Sequence, residues 1–192
     1  MFLQWAVGND LTERNIRLFP GAVEFEAVQT DGIARVHLPI PGKFTVYNAL
    51  TVLGIAKELG ISLADCVSAL KTVQGVKGRI EVVPTPGKDY SILIDYAHTP
   101  DGLDNVLRSV RDFCKGRLIA VFGCGGDRDA TKRPEMGKIA SREADIAIFT
   151  SDNPRTEDPE KILDDIMQGV ESRAQSLRIT DRRQAIRTAV ML

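Results

Sequence analysis

An excess of charge of either sign is missing from this 192-residue sequence: Lys and Arg number 25 against 26 Asp and Glu, a formal net charge of -1. There is no basic stripe of the kind that grips a phosphate backbone, so nucleic-acid binding is excluded and any ligand site must be local. Long apolar runs are lacking too. The longest, such as Leu118 to Phe122, fall far short of the ~20 residues a membrane helix needs, so no membrane insertion is expected. Cysteine is scarce: Cys66, Cys114 and Cys124 make an odd count of 3 without CxxC spacing, which argues against a disulfide framework and a structural zinc site and fits a reducing cytoplasm. The opening MFLQWAVGNDLTERN has no basic segment leading into an apolar one, as a secretory signal would. Absent as well are a GxxxxGK[ST] phosphate loop (Gly42-Lys43 is followed by Phe44), a GxSxG elbow and an HExxH pair. ATP is therefore not held here in the P-loop manner, and hydrolase and zinc-enzyme readings have no support.

What is present is an ordinary globular composition, 43% hydrophobic and 27% charged, over a length that allows one domain or one domain and part of another. Segments 23–28 and 33–38 alternate apolar and polar residues around Thr30-Asp31-Gly32, the pattern of a β-hairpin. Leu50, Leu53, Ala56 and Leu59 then fall at helical spacing, predicting a helix over about 46–59 that Gly60 ends. Ser62 with Asp65 opens a second helix in capping-box fashion. From Arg79 onward apolar strands are predicted at 91–97, 117–123, 145–151 and 176–180, alternating with amphipathic helices opened by Thr99-Pro100, Asp158-Pro159 and Asp181, an α/β pattern. The last helix has no strand after it, which predicts that the pattern is cut short. The composition shift at GVKG places a domain boundary near residue 78.

Polar clusters sit at the ends of three of these strands: Asp95 to Asp101, Gly123 to Asp129, and Ser151 to Arg155. In parallel α/β sheets that edge is where ligands bind. The glycines of GCGGDRD let backbone N–H groups approach an anion, although Arg128 replaces the third glycine of a dinucleotide fingerprint. Arg128 and Arg155 can each grip a carboxylate bidentately, while Asp152 and the Asn153 amide can receive an ammonium group, a set suited to a zwitterion. Read without its neighbours, Asp152-Asn153-Pro154-Arg155 is equally a rigid turn held by Pro154. His98 can contact a nucleotide or move a proton. His37, on a hairpin strand, is assigned no role.

In this order and at these separations, LPIPGKFTVYNAL, GVKGRIEVV, DYAHTPD, FGCGGDRDATKRP and SDNPRTEDP resemble the Mur ligases, over the chain from about residue 5 to its end. The resemblance implies an α/β fold in which residues 1–78 are the end of a central ATPase domain and 79–192 a Rossmann-like C-terminal domain that delivers an amino acid, truncated at its end. It implies an ATP- and Mg2+-dependent ligase, cytoplasmic and monomeric, that adds meso-diaminopimelate to UDP-N-acetylmuramoyl-L-alanyl-D-glutamate through an acyl phosphate, with the magnesium held mainly by parts outside this chain and the chain inactive alone. Matched by motif, Asn48, Arg79, Asp95 and His98 would meet ATP, and Arg128, Asp152, Asn153, Pro154 and Arg155 the diaminopimelate. Its second carboxylate needs a second cation, which lysine would not. Thr45 stands where the family usually has Asn. Two rival readings stay open, a non-catalytic amino-acid-binding or interaction module and another ligase of the superfamily such as a folylpolyglutamate synthase.

Overall fold

Alternation of inward apolar and outward polar residues builds the first sheet. A computed structural model describes residues 11–30, 32–171 and 175–192; the Asp31 turn lies outside them. The expected hairpin is present as β2 (Ala22–Gln29) and β3 (Gly32–Leu38), antiparallel with Phe25 opposite Val36. A strand that sequence reading missed, β1 (Leu11–Phe19), pairs along the free side of β2, giving the order β1-β2-β3. Its period is broken by a register shift between Arg14 and Arg17 around Asn15, whose φ is 55°, and a bulge of this kind erases the two-residue alternation that marks a strand. One face of the sheet buries Val23, Phe25, Ala27 and Val36 under α1 (Lys43–Glu58) and α2 (Leu63–Leu70), whose Val46, Ala49, Leu53 and Leu70 complete the core.

Both helices begin and end where local chemistry dictates. Gly42 at φ 96° turns the chain into α1, and the buried Thr45 hydroxyl donates to the Pro41 carbonyl at 2.9 Å. Gly60 at φ 74° follows the C-cap Leu59, and the Ser62 hydroxyl accepts the Asp65 N–H. The face of α1 turned from the sheet is also apolar: Phe44, Val52, Ile55 and Leu59 are 40%, 52%, 58% and 71% exposed. Val76 to Arg79 form a turn in which the Arg79 N–H reaches the Val76 carbonyl at 3.0 Å and Gly78 takes φ 70°, the positive value required at the third residue of a type II turn. Short strands β4 (Glu81–Val83) and β5 (Ile92–Ile94) then pair antiparallel. Segment 91–97 was expected to lead the parallel repeat. It pairs instead with β4, and by contacts the chain divides into units Met1–Tyr96 and Ala97–Leu192.

The second unit contains parallel strands β6 (Ile119–Phe122), β7 (Ile146–Phe149) and β8 (Ser176–Arg178) in that order, with Val121 opposite Ile148 and Ile148 opposite Leu177. Ile148 and Phe149 are fully buried, and the Phe122 and Phe149 rings meet edge to face at 5.4 Å. Strands covered on both faces read as unbroken apolar runs, which is why β6 and β7 were visible in the sequence. Helices α3 (Pro100–Arg111), α5 (Pro159–Gln168) and α6 (Arg182–Met191) start at the caps expected of them, Thr99, Asp158 and Asp181, each accepting a first-turn N–H. The crossover from β6 to β7 is α4 (Lys132–Glu143), whose buried face includes Arg133, Gly137 and Ser141 besides Met136, Ile139 and Ala140. That mixed face lets α4 pack tightly: a Cβ on Gly137 would lie 2.2 Å from the Ile166 carbonyl of α5.

Candidate functional site

The loops leaving β6 and β7 are fitted into one another. Past Phe122 the Thr150 N–H continues the ladder by donating to the Phe122 carbonyl at 2.9 Å, and a Cβ on Gly123 would stand 2.1 Å from the Thr150 oxygen. Three residues on, the Gly126 N–H donates to the Asn153 carbonyl at 2.9 Å, and a Cβ there would stand 1.9 Å from the Pro154 oxygen. Glycine is thus a steric requirement at both places, and Asn153 and Pro154 meet the first loop through their backbone carbonyls. Pro154 opens a tight turn whose carbonyl accepts the Glu157 N–H at 3.0 Å, with Arg155 in the left-handed region at φ 51°. The Arg155 guanidinium lies back over the glycines and donates through one Nη to the Gly126 carbonyl.

Asp127, also left-handed at φ 52°, joins the loops a second time: its carboxylate accepts the Thr156 hydroxyl at 2.7 Å and the Thr156 N–H at 3.3 Å. Its own N–H donates to the Glu157 carboxylate at 2.5 Å. Behind them Arg133, 2% exposed, forks onto Glu157 at 2.8 and 2.9 Å and reaches Asp165 at 2.9 Å. The Glu157 and Asp165 hydrogen bonds hold the Arg133 guanidinium above its usual range; Arg133 and the Asp127 N–H hold the Glu157 carboxyl below its own. Sequence reading missed Arg133, Glu157 and Asp127. The signal available for Arg133 was its place in the first turn of α4, where a cation opposes the helix dipole and needs a partner to stay.

Arg128 and Asp152 are exposed, and Arg128 makes no hydrogen bond or ion pair among the described residues. Cys124 is buried beneath the loop, where burial pushes its thiol up to about 11 and so disfavours the thiolate, and its sulfur packs 3.8 Å from that of Met136. The His98 carbonyl accepts the Lys132 ammonium at 2.7 Å. In the other unit Asn48 and Arg79 line one cavity of about 410 Å³ with apolar walls from Ile40, Phe44, Val52 and Val73, a volume within the ~300–1,000 Å³ of small-molecule sites. Arg79 also stacks on Tyr96, 5.8 Å from the ring centroid, and the Asp95 carboxylate accepts the Ile80 N–H at 2.9 Å. A second depression of about 400 Å³, around Arg17, Glu24 and Arg35 on the three-stranded sheet, gathers none of the candidate residues.

Residues 78–192, containing both interlocked loops, match the family model described as Mur ligase, glutamate ligase domain. The chain belongs to the Mur ligase family. A Mur ligase of Clostridium botulinum named UDP-N-acetylmuramoyl-L-alanyl-D-glutamate--2,6-diaminopimelate ligase is 47% identical over 182 residues, 94% of this chain and 38% of its own length. One of Trichormus variabilis with the same name is 47% identical over 183 residues, 95% of this chain and 37% of its own. A solved structure of a Mur ligase with that name superposes with a TM-score of 0.73 at 37% identity, covering 96% of this chain and 38% of that one. The present Mur ligase chain therefore spans less than two fifths of these relatives.

Proposed function

We propose that this chain supplies the amino-acid site and part of the ATP site of a ligase that joins meso-diaminopimelate to UDP-N-acetylmuramoyl-L-alanyl-D-glutamate. The observation that carries this reading is the pair of interlocked loops, with Arg155 laid on the Gly126 carbonyl, Arg128 exposed on the same loop as Gly126 and Asp152 exposed on the other. The two guanidiniums bind carboxylates, and Asp152 takes the ammonium at one end of the amino acid. Such a site presents the other amine, as the free base, to an activated carboxyl. In the overall reaction the γ-phosphoryl of ATP passes to the acceptor carboxylate; the amine then attacks that carbonyl carbon, losing a proton, and phosphate leaves.

Catalysis of this kind rests on positioning and charge neutralisation. Asn48, Arg79 and Asp95, with His98, are the proposed nucleotide contacts, supported by the shared cavity of the first two and by Arg79 and Asp95 flanking one turn. Magnesium takes one or two carboxylates together with the substrate phosphates, and in this reading it is held mainly by parts of the ligase outside this chain.

Arg155→Ala tests the reading, in an enzyme of the relatives' full length that carries this segment. Leaving a substrate carboxylate unpaired costs about 2–4 kcal/mol, so kcat/KM for meso-diaminopimelate is expected to fall roughly 30- to 1,000-fold while KM for ATP holds. Arg155→Lys restores only part, because an ammonium lacks the planar fork. Equal losses for both substrates, or none, would reduce the DNPR loop to a rigid turn.

A further inference from the structure

The structure holds Arg128 and Arg155 through their neighbours. Asp127 precedes Arg128 and Thr156 follows Arg155, and these two neighbours are bonded across the loops at 2.7 Å. Both backbones are thereby fixed within one residue of the side chains proposed to read the substrate. Asp127 and Arg155 each take a positive φ, a conformation that non-glycine residues keep only where surrounding bonds enforce it and that concentrates at functional sites. The enforcing bonds run inward from Asp127 to Glu157 and from Glu157 to the buried fork of Arg133. This anchor is poorly suited to stability alone. Among the described residues the buried Arg133 Nε has no hydrogen-bond partner, a loss that an apolar side chain of similar volume would not carry.

We propose that the Asp127–Thr156 bond, seated on the Arg133–Glu157 pair, is a positioning device: it sets the separation of the Arg128 and Arg155 guanidiniums and so selects an amino acid with two carboxylates over one with a single carboxylate. This rests on the amino-acid site proposed above. Arg133, Asp127, Glu157 and Thr156 act through the two arginines and touch no substrate. Thr156 Oγ1 is the atom by which the device can be loosened with least disturbance, because its N–H bond to Asp127 survives in a valine.

The test uses the full-length ligase carrying this segment, with Thr156→Val, Asp127→Asn and Arg155→Ala alone and Thr156→Val combined with Arg155→Ala. Steady-state kinetics are measured with meso-diaminopimelate, lysine and ATP varied in turn, and thermal midpoints are recorded for every protein. Thr156→Val is expected to lower kcat/KM for meso-diaminopimelate roughly 3- to 10-fold, the worth of one hydrogen bond, chiefly through KM. The value for lysine and the KM for ATP stay put, and the loss disappears in the Arg155→Ala background, since coupled residues are not additive. Asp127→Asn reproduces the loss of selectivity should the valine variant fail to fold. A wild-type preference for meso-diaminopimelate over lysine in both variants, equal losses for the two amino acids, or full additivity with Arg155→Ala would overturn the device while leaving the site intact. An Arg155→Ala enzyme unchanged toward meso-diaminopimelate would remove the site itself, and the device with it.

Discussion

A methyl group on Gly126 has no room. With the Pro154 carbonyl 1.9 Å from where the Cβ would stand, Gly126→Ala must push the two loops apart, and overpacking of this kind costs about 1–3 kcal/mol. Thermal unfolding should fall by several degrees, and the residue-126 carbonyl that accepts from Arg155 is displaced at the same time. The charge network adds a pH signature. Arg133 and the Asp127 N–H lower the Glu157 carboxyl in the folded state, so the stabilisation is complete above the ordinary carboxylate pKa of about 4.3 and is lost as pH falls through the lowered folded value. Melting curves between pH 7 and pH 3 are expected to drop less steeply for Glu157→Gln than for the wild type; identical slopes would show that Glu157 does not titrate with folding. Arg128, beside the glycines of GCGGD, and Arg155, after Asn153-Pro154, could be proposed from the sequence because guanidiniums at strand ends suggest a carboxylate site locally. Arg133 and Glu157 could not, because their meaning lies in a contact between residues 24 positions apart.

Among the elements, the turn from Gly78 to Ile80 stores strain. Ile80 is buried, β-branched and at φ 42°, and it is kept there by the Asp95 carboxylate on its N–H, while Gly78 bonds the Tyr96 N–H at 2.7 Å. A Cβ on Gly78 would find its nearest neighbour 4.0 Å away, so Gly78→Ala tests backbone conformation without steric conflict. The left-handed φ should cost about 1–2 kcal/mol, seen as a lower denaturant midpoint at unchanged slope; no shift would mean that the turn relaxes freely. Elements defined by local chemistry were legible: α3, α5 and α6 each start at the cap that the sequence spells out. Those defined by distant partners were not. The bulge at Asn15 hides β1, the β4–β5 pairing joins two three-residue strands whose partnership no periodicity records, and α4, expected only from the strand–helix alternation, has no bounds legible in the sequence because Arg133 and Ser141 occupy positions where an apolar stripe would show.

For the whole molecule, the sequence holds no GxxxxGK[ST] loop to grip the phosphates of ATP. Incubated with ATP, magnesium, meso-diaminopimelate and UDP-N-acetylmuramoyl-L-alanyl-D-glutamate, the 192-residue chain by itself is expected to release no phosphate above background. An enzyme of the relatives' length carrying the same segment should turn over, and clear turnover by the chain alone would show that it grips ATP in another way. The outer face of α1 bears on how such a chain behaves in a tube. Phe44, Val52, Ile55 and Leu59 form a strip of oil along one helix of a molecule whose net charge of -1 provides almost no mutual repulsion. Attraction between such strips strengthens with warming and with sulfate, and weakens on cooling. Light scattered by a concentrated solution should therefore climb on heating well below the melting point, fall back on chilling, and stay flat once Val52 and Ile55 are both changed to lysine.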